Sequence, residues 1–340
     1  MYVQYLANNN ATGLPCKGNG QLWKSANLKD FTYVRPITSS GGPGSYWELP
    51  YLLPFDKDGQ PLDNYHHNAA TQYVLMFGSN RENLYWVGKY DNTNHIFTPN
   101  NISSTPKATD SSSYYSFNPH ATDTKGLNGR TRRIVFGWVL GEISSSVALK
   151  NVPYWQSCHS IARLVTVSNN ALVQLPAPEI QKLRKKKKHW LFGPIKIEDG
   201  LGLQTQALHG LRSDSLEIVA RFQVTGQEPV NSSFGIAFRV GGGNDDAAVA
   251  VGFQPRTQSI GIGKLMNLST IPLNWKVPQP SMNLVEMIIY LDRSVIEVFS
   301  GGAALTGRCN LSPLANASEA QGVNVWSIGA DANLVSLEHL

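Results

Sequence analysis

Cysteine, methionine and charge are all scarce in this 340-residue chain. The three cysteines, Cys16, Cys158 and Cys309, lie far apart and are odd in number. They admit at most one disulfide and offer no metal-ligand or redox spacing. No apolar run approaches the roughly 18 residues that a membrane-spanning helix needs. The N-terminal residues have neither a basic n-region nor a long apolar h-region, so no signal peptide is visible. No Gly-rich turn leads into a helix as a phosphate cradle would. Charged residues make up 16% of the chain against 41% apolar ones, the balance of an ordered globular protein.

What is present points to strands and turns. The chain holds 30 Gly, 19 Pro and many Thr, Ser, Asn, Tyr and Trp, a composition suited to short strands joined by tight loops. Its length suggests about two domains. Tyr73–Phe77, Leu84–Gly88, Arg133–Val139 and Arg163–Val167 are β-branched and aromatic runs bounded by Asn, Gly, Asp or Pro. Turn signals recur about every 8–12 residues, which favours an all-β propeller, barrel or sandwich. Pro176–Lys188 interrupts the pattern and marks a boundary with room for one or two helical turns. Beyond it, Leu216–Val224 and Ser233–Val240 alternate as half-buried strands, and Val285–Leu291 with Ser294–Phe299 reads as a hairpin around Asp292-Arg293. Long, even strands over this stretch suggest a two-sheet sandwich.

The net charge of +5 is local. Lys182, Arg184, Lys185, Lys186, Lys187 and Lys188 carry six charges within seven positions, and without them the chain stands at −1. No interleaved aromatics or nucleic-acid motif accompany the cluster, so it reads as a solvated linker. The sequons at Asn10, Asn101, Asn231, Asn267, Asn310 and Asn316 lean towards secretion, although about four are expected by chance in so Asn-, Ser- and Thr-rich a chain. His66, His67, His120 and His159 are scattered, without metal-ligand spacing.

One acid stands out. From Gly41 to Phe55 the chain reads Gly-Gly-Pro-Gly-Ser-Tyr-Trp-Glu-Leu-Pro-Tyr-Leu-Leu-Pro-Phe, with Glu48 its only charge. Apolar neighbours disfavour the ionised form of a carboxyl, which suits a general acid. An acid pointing into water from a loop fits the same residues.

Several segments together resemble glycoside hydrolase family 32, the β-fructofuranosidases, invertases and inulinases. Trp47-Glu48-Leu49-Pro50 is similar to the family's Trp-Glu-Cys-Pro motif, whose Glu is the acid/base. Asp110–Ser116 resembles its Asp-X-Gly-X-Phe-Tyr-Ala segment, and Arg132–Trp138 its Arg-Arg-Ile-Leu-Trp-Gly-Trp strand. Tyr154–Arg163, Gln174–Ile180 and Leu291–Gly302 follow in the family's order. The resemblance implies a five-bladed β-propeller followed by a β-sandwich. It places an incomplete propeller at 1–178, a basic linker at 179–190 and the sandwich at 191–340. It also implies a retaining mechanism, in which one carboxylate attacks the fructosyl carbon and another protonates the leaving oxygen from about 5–5.5 Å away.

By the resemblance Glu48 is the acid/base and Trp47 a pocket wall. Tyr115 supplies a hydroxyl for Glu48 or the sugar, a core tyrosine being the alternative. Trp138 is a pocket floor or plain core; Asp110 contacts fructose hydroxyls or caps a turn. The implied partner is a small carbohydrate, sucrose or a fructan, with no cofactor, metal, nucleic acid or membrane. Secretion is the family habit.

The departures are as informative. Neither Asn-Asp-Pro-Asn-Gly, which carries the family's nucleophile, nor Arg-Asp-Pro occurs, and the only Asp before Glu48 is Asp30. The chain therefore reads as a member without its first blade and without a nucleophile, inactive in this form. The alternative is a non-catalytic, carbohydrate-binding remnant. Leu49 replaces the motif's Cys at a position expected to tune packing.

Overall fold

The structure, a computed structural model, describes residues 2–4, 17–44, 46–63, 69–101, 105–111, 113–123, 129–140, 157–184, 190–197, 204–213, 215–224, 232–240, 249–264, 267–272, 284–293, 295–308, 322–328 and 332–339. It is all-β apart from a short 3-10 helix, Pro178–Leu183. Two compact units emerge, Met1–Trp138 with Ala162–Gln174, and Val139–Ile161 with Leu175–Leu340. Among the described residues no helix is long and apolar enough to cross a membrane.

The first unit is built from small antiparallel sheets. Strands β1 (Tyr2–Gln4), β2 (Gly20–Lys24) and β3 (Thr32–Pro36) form one. Strands β4 (Glu48–Phe55), β5 (Gln72–Ser79), β6 (Glu82–Asp91) and β7 (Ile96–Pro99) form the next in sequential order, and β8 (Lys107–Ala108) also pairs with β6. A third holds β9 (Tyr114–Asp123), β12 (Arg163–Ser168) and β13 (Ala171–Pro176), arranged around β10 (Arg132–Val139), while β11 (Cys158–His159) falls among the residues of the second unit.

Parity of side chains explains why these sheets stack. A strand sends successive side chains to opposite faces. On β5 and β6, Tyr73, Leu75, Phe77, Leu84 and Trp86 join a cluster with Ile37 and Trp47. The intervening Val74, Met76, Tyr85 and Val87 join another with Tyr114, Phe117, Val135, Val165 and Leu172. The middle sheet is therefore enclosed on both faces, as its unbroken apolar runs require. The outer sheets are not: β10 alternates between buried Arg133, Val135 and Val139 and outward Phe136 and Trp138.

The second unit is a sandwich. One sheet runs β14 (Trp190–Phe192), β26 (Ala332–His339), β17 (Ser215–Val224), β22 (Leu284–Asp292), β23 (Val295–Ser300), β24 (Ala303–Arg308), with β15 (Ile195–Ile197) also on β26. The other runs β16 (Gln204–Arg212), β25 (Gly322–Ile328), β18 (Ser233–Val240), β19 (Val249–Gln254), β20 (Ser259–Lys264), β21 (Asn267–Pro272). Leu216, Ile218, Ala220 and Phe222 from β17 meet Phe234, Ile236 and Phe238 from β18 in a single core. Each such fully buried side chain contributes about 1.5–3 kcal/mol.

The expectation of a solvated basic linker fails at Arg184. Its guanidinium grips Glu217 with both Nε (2.7 Å) and Nη2 (2.6 Å), and the Tyr290 hydroxyl donates to the same carboxylate at 2.9 Å. A forked guanidinium matches a carboxylate's two oxygens, and Glu217 is buried, which favours pairing over solvation. Lys185, Lys186, Lys187 and Lys188 lie outside the described residues.

Candidate active site

Glu48 opens β4, and the chain around it is irregular for identifiable reasons. Gly41 and Gly44 lead in with φ of 67° and 78°, the left-handed region that glycine enters without steric cost. Trp47 then turns inwards. Its ring stacks on Phe77 at 4.0 Å and meets Trp86 edge-on at 5.9 Å, while its Nε1 donates to the Pro43 carbonyl at 3.1 Å. Only 1% of Trp47 is exposed, so it anchors Glu48 from behind and presents no ring face to a ligand.

Beyond Glu48 the strand is bulged. Glu48 pairs with Gly78 and Tyr51 with Met76, so Leu49 and Pro50 together face Phe77 alone. Leu49 adopts φ of 48°, which costs a residue with a Cβ on the order of 1 kcal/mol or more. A bulge re-aims the side chain beside it, and here that side chain is Glu48. Leu49 itself, expected to tune packing, is 41% exposed.

The Tyr115 hydroxyl, from β9, donates a short hydrogen bond to Glu48 Oε2. Burial first, then the hydrogen bond and charge of Glu48, hold the Tyr115 pKa well above the ordinary tyrosine value. The phenol therefore remains a donor at neutral pH and fixes one carboxyl oxygen of Glu48. Gly78 makes the approach possible, since a Cβ there would lie 2.6 Å from the Tyr115 hydroxyl.

The remaining sequence candidates are placed differently. Asp110 is buried: its Oδ2 accepts from Arg163 Nη1 at 2.7 Å, and its Oδ1 from the Ser111 backbone N–H at 2.6 Å. Arg163 also donates to Gln174 Oε1 at 3.1 Å and lies 4.3 Å above the Tyr114 ring. Asp110 thus lies in a buried polar set at the start of the strand that carries Tyr115. Trp138 points outwards from β10 and is 46% exposed, a ring face in solvent and no part of the core. The structure brings together Glu48, Trp47 and Tyr115. His159 is exposed; Glu142, His66 and His67 lie outside the described residues, as does the His120 side chain. Sequence reasoning missed Gly78, whose role comes from a cross-strand neighbour and leaves no local signal. It met Arg163 only as the first residue of a strand run and the last residue of a motif.

Residues 4–176 match the model of the glycosyl hydrolases family 32 N-terminal domain, and residues 179–339 that of the glycosyl hydrolases family 32 C terminal. The chain belongs to glycosyl hydrolase family 32. Similar family proteins include a cell wall β-fructofuranosidase of Pisum sativum, 29% identical over 64% of this chain and 39% of that protein. The extracellular exo-inulinase of Aspergillus niger is 24% identical over 92% of this chain and 58% of its own length. The chain thus spans between about a third and three fifths of the curated relatives it matches. Among solved structures, fructan 1-exohydrolase IIa of Cichorium intybus superposes with a TM-score of 0.74 at 17% identity, covering 94% of this chain and 66% of that one. The likeness shows the family's propeller-and-sandwich fold.

Proposed function

We propose that the protein acts on β-fructofuranosidic bonds of sucrose or fructans by a retaining mechanism, with Glu48 as acid/base. The observation that carries this is the hydrogen bond from Tyr115 to Glu48, at the position of the family's acid/base motif. In the first step Glu48 gives its proton to the leaving oxygen while a second carboxylate attacks the anomeric carbon. In the second, Glu48 takes a proton from water as the water oxygen bonds to the anomeric carbon, and the attacking carboxylate leaves. Tyr115 holds one oxygen throughout, so that proton exchange occurs at the other. The domain assignment of 1–178, 179–190 and 191–340 is part of this reading, supported by the two family matches on either side of residues 177–178.

The attacking carboxylate is the difficulty. Neither Asn-Asp-Pro-Asn-Gly nor Arg-Asp-Pro occurs in the 340 residues, and removing one member of a catalytic unit costs nearly the whole effect. We expect no fructose release from sucrose or inulin by this chain, alone or as the Glu48→Gln variant. Turnover by the unmodified chain that Glu48→Gln abolishes would keep Glu48 and overturn the inactive reading; equal turnover by both would remove Glu48.

A second reading, non-catalytic carbohydrate binding, is favoured by the outward Phe136 and Trp138 on β10. Aromatic faces suit the apolar side of a sugar ring. Inulin binding by calorimetry that survives Glu48→Gln and is lost in Trp138→Ala would identify that role. The extracellular and cell wall names of the relatives support a secreted protein.

A further inference from the structure

The backbone that delivers Tyr115 to Glu48 is kinked, and the Asn83 side chain reaches into the kink. Ser116, directly after Tyr115, adopts φ of 55°, a conformation that a serine does not favour without support. On either side of this step lie a carbonyl and an amide that a regular strand would pair with a neighbour. Both are met by Asn83. Its Nδ2 donates to the Tyr114 carbonyl at 3.0 Å, and its Oδ1 accepts from the Phe117 N–H at 3.3 Å. Its own backbone carbonyl accepts from the Thr109 N–H at 2.9 Å. The Asn83 side chain is buried, where a lost partner leaves a polar group unsatisfied at a cost.

The register gives this contact its meaning. Glu48 on β4 pairs with Gly78 on β5, and Gly78 pairs with Asn83 on β6. The three residues form one row across the sheet. Gly78 contributes no side chain, and the Tyr115 hydroxyl sits over the gap. One end of the row grips the Tyr114–Phe117 backbone, and the other receives the hydroxyl of the residue held between.

We propose that Asn83 is a positioning residue of the active site, its carboxamide setting the kink that presents the Tyr115 hydroxyl to Glu48. A carboxamide suits the task because it offers a donor and an acceptor in one rigid plane, matching a carbonyl and an amide on the same stretch of chain. Ionised Asp lacks the donor and Ala lacks both, while the Ser hydroxyl must supply donor and acceptor from one oxygen on a shorter side chain. The inference rests on the acid/base reading of Glu48 for its importance, and its geometry concerns residues that reading does not use.

The test follows Tyr115 itself. The full chain is labelled with 3-fluorotyrosine, the Tyr115 resonance is assigned with Tyr115→Phe, and its ionisation is followed by fluorine NMR into alkali. In the unmodified chain Tyr115 ionises late, because burial and the Glu48 charge both oppose its anion. Glu48→Gln removes that charge and lowers the midpoint by about one pH unit. Asn83→Ala is expected to lower it by a similar amount, and combining it with Glu48→Gln to add little. Asn83→Asp, which keeps the volume and the acceptor but not the donor, is expected to shift it part of the way and serves if Asn83→Ala does not fold. A variant with a lowered melting temperature and an unchanged Tyr115 midpoint would overturn the proposal, since a purely structural asparagine moves only the first. The readout contains no turnover, so failure of the acid/base assignment leaves it intact, and its own failure leaves that assignment standing.

Discussion

Gly78 shows how much one missing side chain can determine. The Tyr115 hydroxyl occupies the space where its Cβ would be, and the methyl of Gly78→Ala would sit 2.6 Å from that oxygen. Tyr115 is held at the backbone, so the ring must tilt away and leave Glu48. Overpacking of this kind costs about 1–3 kcal/mol. Urea unfolding of Gly78→Ala, Tyr115→Phe and the double variant is expected to show strong non-additivity, because the second change removes the group that the first displaces. Additive losses would place the two residues out of contact. At this scale a lone acid in an apolar run drew attention to Glu48, and the resemblance of Trp47–Pro50 to the family motif gave it a proposed role. Its supports were not legible: Gly78, Asn83 and Leu49 act through cross-strand partners and backbone angles, and nothing within a few residues of each announces them.

At the scale of strands, β9 is pinned where it begins. Asp110, Arg163 and Gln174 form a buried polar set, with Gln174 Nε2 donating to the Thr109 carbonyl at 2.6 Å. Both side chains of the Asp110–Arg163 pair are wholly buried. Removing one partner from such a pair strands a charge, at about 3–5 kcal/mol. Arg163→Met is therefore expected to destabilise the chain by that order in denaturant unfolding, and Arg163→Met with Asp110→Leu to recover part of the loss. A double variant no more stable than the single would show that the Arg163 contact with Tyr114 matters more than the charges. The strands themselves were readable in advance. Alternation marked β17 and β18 and unbroken apolar runs marked β5 and β6, although residues 216–220 and 232–238 are buried throughout and not the half-buried stretches that alternation suggested. Pairing an acid with an arginine 53 positions away is not written in the order of side chains. Nor was the grip of Arg184 on Glu217, because a charge run looks solvated until a buried carboxylate is found beside it.

Among the described residues of the whole molecule the cores are separate. The sandwich core draws on both of its sheets and shares no residue with the two clusters of the first unit. Phe222, fully buried and 5.1 Å from the Phe234 ring, is a suitable probe. Phe222→Ala is expected to cost about 3–5 kcal/mol. In amide hydrogen exchange the loss of protection should appear in β17, β18 and β22 while β5 and β6 keep theirs; equal loss in all would mean one cooperative unit. The fold at this scale was legible through motifs whose order resembles that of the family, and through the break after Pro176, which composition marks. The enclosure of the middle sheet of the first unit carries a consequence for variation. On β10 buried positions alternate with more exposed ones. On β5 and β6 nearly every position is packed on one side or the other. Random substitution should therefore be purged along those two strands without the every-other-residue rhythm seen on β10. The rim that holds Glu48, Gly78 and Asn83 should inherit that intolerance from the packing beneath it, whatever chemistry the rim performs.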